Sequence, residues 1–216
     1  MIIIYFPNIS RQHSKRKRAV YLGGYFLHER SITQLNQVDI KSNKSMMIQN
    51  HVKYVHFVYN NTIMRWKHPP IIKIYEALGS VADGRVEVSQ NSGKVYSSSR
   101  NKYYGVTYDP KSGAIMANDN GSFWKGYLGY PSIAFLMKIG VLPYEKNIGE
   151  LLANIPWKDI NQKFKNDFDK TLEFILSSKA ETEKTNLKIF TEKVNQEIKK
   201  LNPSLLGKKR KPPEGY

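Results

Sequence analysis

Apolar residues along this chain follow two regimes. From Ile71 onward they recur with helix or strand periods, whereas residues 1–63 carry scattered Tyr and Ile without a long apolar period. After Pro69-Pro70, the positions Ile71, Ile74, Tyr75 and Leu78 predict a helix that the prolines begin and Gly79 ends. Asp83-Gly84 signals a turn. Residues 85–88 and 94–99 alternate apolar with polar, separated by Asn91-Ser92-Gly93, and residues 103–108 and 114–117 follow across two further turns. The pattern is an antiparallel meander of up to four strands.

Asn118, Asp119, Asn120 and Gly121 favour a tight turn, since these side chains compete for the backbone or tolerate left-handed geometry. The run 133–137 after Pro131 predicts a buried helix ending near Gly140. Residues 148–155 predict a short helix closed by Pro156, because the residue before a proline resists helical geometry. From Trp157, the positions Ile160, Phe164, Phe168, Leu172 and Ile175 lie on one stripe of a single helix. Residues 178–181 have the form of a capping box that opens another. Its narrow stripe is Leu187, Phe190, Val194, Ile198 and Leu201, able to pack on the domain or to pair with a protein partner or a second copy.

These elements give an α+β fold: a small antiparallel sheet packed with helices, followed by a C-terminal helical segment and flanked by basic extensions. Residues 1–63 read as a basic, flexible arm, 64–155 as the α+β core, 156–201 as the helical segment and 202–216 as a basic disordered tail. The abrupt change of composition at Met64 leaves a second reading of the arm open, in which residues 1–63 do not belong to the native protein.

Charge sharpens the picture. The chain has 216 residues, with 34 Lys and Arg against 18 Asp and Glu, a formal charge of +16. A surplus of this size points to a polyanionic partner, nucleic acid before any other. The uncharged run 127–137 is far shorter than the roughly 20 residues of a spanning helix, so no membrane partner is expected. The apolar start is too short for a secretory leader and precedes the basic block Lys15-Arg16-Lys17-Arg18, the reverse of signal order. A cytoplasmic protein associated with nucleic acid is expected.

Absences narrow the chemistry. Cysteine is missing, and all 5 histidines, at positions 13, 28, 51, 56 and 68, precede the folded part. Thiol nucleophiles, Ser-His-Asp triads and N/S zinc sites therefore have no residues there. Carboxylates remain, but Asp83, Asp109 and Asp119 each adjoin turn residues, where an Asp side chain commonly bonds its own backbone. A calcium loop at residues 118–121 would need Met116 as a ligand, and the spacing of Gly121, Gly126 and Gly129 makes no phosphate loop. No enzyme, metal or cofactor is expected.

The positive signal is basic charge interleaved with rings. Lys94, Arg100, Lys102, Lys125, Lys208, Lys209, Arg210 and Lys211 are the candidate phosphate contacts, and Tyr103 and Trp124 the candidate stacking groups on DNA or RNA. Tyr and Trp also suit strands and cores, so each ring has a packing role as its alternative.

The segments 96–106, 115–119 and 129–137 together resemble the layout of SWIM zinc-finger domains. In that family strands lead into a Cys-x-Cys pair, and a later Cys-x-His opens a helix. Ile115 and Ala117 stand at the first two ligand positions, Tyr130 and Ser132 at the last two. None can bind zinc as the family does. The resemblance implies a metal-free descendant, with Ile115 and Tyr130 packed where the ion would sit, and a DNA- or protein-binding role.

Overall fold

The computed structural model describes residues 64–214; the expectations for residues 1–63, including the arm and its nativeness, lie outside them. Helix α1 (Ile72–Ala82) starts behind the two prolines, with Lys73 N–H donating to Pro70 O at 2.9 Å. It is buried nearly all round, because α2 (Tyr130–Lys138), α3 (Lys146–Glu150) and α6 (Glu181–Leu201) all pack on it. The expected single apolar face is therefore incomplete: Ile72 and Ala77 are buried too, while Ile71 is exposed. Nor does Gly79 end the helix. A Cβ there would strike the Leu152 carbonyl, so this glycine permits close helix approach, and the left-handed turn comes later at Gly84, with φ 64°.

Strands β1 (Val86–Ser89), β2 (Ser92–Tyr96), β3 (Tyr103–Asp109) and β4 (Ala114–Ala117) form the expected meander in sequence order. Val86, Val95 and Tyr104 lie opposite one another and turn inward, as do Val106 and Tyr108, against α2. The alternate residues form the sheet's outer face. A fifth strand makes the sheet mixed: β5 (Ser204–Leu205) pairs in parallel with β4, Ala114 opposite Ser204.

β5 corrects the reading of residues 202–216 as a disordered tail. Two residues cannot order themselves, but here both sides supply hydrogen bonds: Leu205 N–H donates to Met64 O at 2.7 Å and Leu206 N–H to Ile115 O at 3.1 Å. The Trp66 indole N–H also donates to Ile115 O, at 2.9 Å, and its backbone N–H to Pro203 O, at 3.1 Å, tying the start of the described chain to β4 and to the segment before β5.

The stripe from Ile160 to Ile175 is divided between two helices, α4 (Trp157–Lys163) and α5 (Phe168–Ser177). Lys165 and Asn166 between them take φ of 55° and 61°, and Asp167 caps α5 by accepting from Lys170 N–H at 3.2 Å. The α6 cap also differs from expectation. Ala180 precedes the helix and has no side-chain acceptor, while Glu183 reaches back to accept the Ala180 N–H at 2.9 Å. The α6 stripe serves the protein's own core: Leu187, Phe190, Val194 and Ile198 are buried, and Leu201 is partly buried against them. That removes the surface expected to pair with a partner or second copy. One core cluster runs from Trp66 to Ile198, so residues 156–201 complete the α+β body rather than follow it.

Candidate functional site

Two places gather candidate chemistry, and the residues singled out from sequence do not all fall in either. The first is the outer face of β2 and β3. Lys94 and Tyr96 point there from β2 and Tyr103 from β3, since they alternate with buried Val95 and Tyr104. Tyr103 is 46% exposed, its ring tilted at 5.9 Å from Tyr96 and 4.8 Å from the Lys94 ammonium. Arg210 reaches the same groove, bringing a C-terminal cation beside Lys94 and Tyr103. Glu87 is the carboxylate on the groove wall, and its hydrogen bond with Tyr96 raises that phenol's pKa.

Another tail cation, Lys209, lies near the loop after β4. Lys209 places its ammonium 5.7 Å from the Trp66 ring and 3.5 Å from the Phe123 carbonyl. In that loop Trp124 is 69% exposed, against Phe123 at 4.6 Å, and Lys125 is exposed; Lys208 and Lys211 are exposed on the C-terminal segment. Arg100 stands apart at the tip of the β2–β3 connection. It takes φ 57° and its guanidinium donates to the Asp83 carbonyl at 2.6 Å.

Lys102 belongs to the second place, a cavity of about 360 Å3 between the sheet, α1 and α4. Its ammonium is buried there, 5.6 Å from the Tyr104 ring. Glu76, on the cavity side of α1, accepts from Lys73 Nζ at 2.8 Å and from Asn161 Nδ2 at 2.9 Å. Lys158 joins the wall from α4, and its backbone N–H donates to Ser98 Oγ at 3.0 Å, tying α4 to the hairpin. Arg85 enters from the start of β1, Nε on Asp83 at 2.9 Å and Nη1 on the Tyr96 carbonyl at 2.9 Å. Its Nη2 is buried without an acceptor.

Asp119 closes the cavity beside the short turn Gly121–Lys125. It accepts from Ser122 N–H at 3.0 Å and from Ser122 Oγ at 2.6 Å, the local turn bonding that its sequence context suggests. Burial nevertheless holds its carboxyl above the usual range, outweighing the Ser122 bonds that pull it down. Burial likewise raises the Tyr127 and Tyr130 phenols, keeping them protonated. At the zinc-ligand positions of the SWIM layout, Ile115, Ala117 and Ser132 are buried and Tyr130 is partly buried. Among the described residues no three His, Asp or Glu side chains are grouped to hold a metal ion.

Sequence reasoning missed Arg85, Glu76 and Asn161. Only Glu76 left a signal, as the lone carboxylate of a mostly apolar helix, where a buried charge is costly unless it is paired. No curated protein and no solved structure matches the chain. A family model matches residues 66–204, almost the whole described body, and the chain therefore belongs to the family described as Uncharacterised conserved protein UCP014422.

Proposed function

We propose that the domain is a non-enzymatic nucleic-acid-binding module that holds a single strand across the outer face of β2 and β3, mainly through charge and with weak sequence selectivity. The observation that carries this reading is the groove in which the Lys94 ammonium lies 4.8 Å from the half-exposed Tyr103 ring, with Arg210 alongside. A ring flanked by cations offers an unpaired base a stacking face and its phosphates a counter-charge. The exposed Trp124 and Lys125 carry the same chemistry on the loop after β4, and the exposed Lys208 and Lys211 add charge on the C-terminal segment. The net +16 supplies long-range attraction, and the SWIM-like layout of residues 96–137 supports the same class of partner. With no cysteine to protect and a polymer of this kind as partner, the proposed location is the cytoplasm.

Filter binding with single- and double-stranded DNA and RNA at two salt concentrations tests the reading. Single strands should bind more tightly than duplexes, and affinity should fall steeply as salt rises. Binding that is absent at low salt, or that ignores salt, overturns it.

A further inference from the structure

The cavity between α1, α4 and the inner side of the sheet has no part in the surface reading. Its walls carry four cationic side chains, Lys73, Arg85, Lys102 and Lys158, against the carboxyl groups of Glu76 and Asp119. Asp119 opposes an anion less than its formula suggests, because burial favours its neutral form. Salt bridging pairs Lys73 with Glu76, at 2.8 Å, and Arg85 with Asp83, at 2.9 Å.

Arg85 is the sharper observation. Its side chain is 2% exposed, and bonds from Nε to Asp83 and from Nη1 to the Tyr96 carbonyl hold the guanidinium plane fixed. Those bonds leave buried Nη2 as a donor with no acceptor, a state that folded proteins seldom tolerate except where a ligand or water fills it. Across the cavity the complementary deficit occurs: Asn161 gives its amide N–H to Glu76, while its buried Oδ1 receives no donor. A ligand answering both must present an anionic oxygen to Arg85 and a hydroxyl or amino hydrogen to Asn161. Tyr104, Tyr130 and Phe168 add ring surface to the walls. The volume, about 360 Å3, lies within the range of small-molecule sites.

We propose that this cavity binds a phosphate monoester carried on a hydroxylated ring, a sugar phosphate or mononucleotide, with Arg85 Nη2 on the phosphate and Asn161 Oδ1 on a ligand hydroxyl. A phosphate monoester carries nearly two charges and three acceptor oxygens at neutral pH, which suits an arginine pinned by two other bonds better than a single carboxylate does. Because two bonds already fix the guanidinium, little is lost in ordering it on binding.

The test is calorimetric titration of the full-length protein with ribose 5-phosphate, adenosine 5′-monophosphate, inorganic phosphate and adenosine. Ribose 5-phosphate tests the sugar-phosphate source and the nucleotide tests the other; either should bind, and adenosine should not. Arg85→Lys keeps the charge and withdraws Nη2, and should weaken the phosphate ester at least tenfold. Asn161→Ala, on a partly exposed helix position, keeps the test decisive should the arginine variant unfold. It should weaken ribose 5-phosphate several-fold and leave inorganic phosphate unchanged. Failure of both esters to bind at millimolar concentration, or binding equally tight in Asn161→Ala, overturns the proposal, whatever the outcome with oligonucleotides.

Discussion

Asp83 holds Arg85 from the end of α1: its Oδ2 accepts from Arg85 Nε at 2.9 Å while Oδ1 accepts the Asn154 N–H at 2.6 Å. One carboxylate thus joins the exit of the central helix, the entry to β1 and the loop that leads to α4. Arg85 lines the interior cavity, so the ion pair sets the position of that wall residue as well as the charge on it.

Removing Asp83 should therefore cost more than a turn residue normally does. Asp83→Ala leaves the nearly inaccessible Arg85 cation uncompensated, and breaking a buried pair in this way costs about 3–5 kcal/mol. Urea unfolding followed by circular dichroism measures it. Asp109→Ala is the control, since that carboxylate serves its own turn through the Lys111 N–H and the Ser112 hydroxyl, and its loss should be smaller. Equal losses would mean that the pair does not brace the wall.

Asp119 predicts a pH dependence of definite sign. Burial raises its folded carboxyl pKa above the ordinary 3.8, so the folded state holds this proton more tightly than the unfolded chain does. Its contribution is fully present below the unfolded value and is lost as pH climbs through the raised one. Stability of the native protein relative to Asp119→Asn, which cannot ionise, should thus decline from about pH 4 upward. Unfolding both proteins in urea across a pH series checks it, and a difference that is flat or grows with pH contradicts the raised carboxyl.

The fold was legible wherever one periodicity ran unbroken. The α6 positions 187, 190, 194 and 198 specify a helix face by spacing alone, and the burial of all four follows. The break between α4 and α5 was hidden because Lys165 and Asn166 adopt left-handed geometry without a glycine to announce it. β5 was hidden for a different reason: two residues carry no period, and their partner β4 lies far away in the chain. The site divides the same way. Alternation along β2 and β3 places Lys94 and Tyr103 outward, but Lys102 lies in the β2–β3 connection, where the Ser97 N–H to Lys102 carbonyl bond at 2.9 Å sets the course of the chain. Lys102 and Arg100 look alike in sequence, yet one enters the cavity and the other stays at the surface.

The two sides of α6 should respond differently to truncation. Leu187 is fully buried, and Leu187→Ala should lose about 2–5 kcal/mol through lost transfer energy and the cavity left behind. Ile189 is 66% exposed, so Ile189→Ala should change stability by no more than about 0.5 kcal/mol. Thermal unfolding distinguishes them. If Leu187→Ala were tolerated while Ile189→Ala lowered the melting temperature, the helix would be facing the other way in solution.

On the outer face, charge and stacking should separate in a salt titration. Lys94→Ala with Arg210→Ala removes two candidate phosphate contacts, so the slope of log affinity against log salt for a single strand should flatten by about 1.4, at about 0.7 per contact. Tyr103→Ala removes a neutral ring instead. It should weaken binding by about 1–3 kcal/mol at every salt concentration and leave the slope nearly unchanged. Because the Lys94 ammonium rests against that ring, a small secondary change in slope is expected, well below that of the double variant. A slope that responds to Tyr103 and not to the two cations would mean that the ring orders the chain while the charges merely surround it, and the groove would then not be the phosphate path.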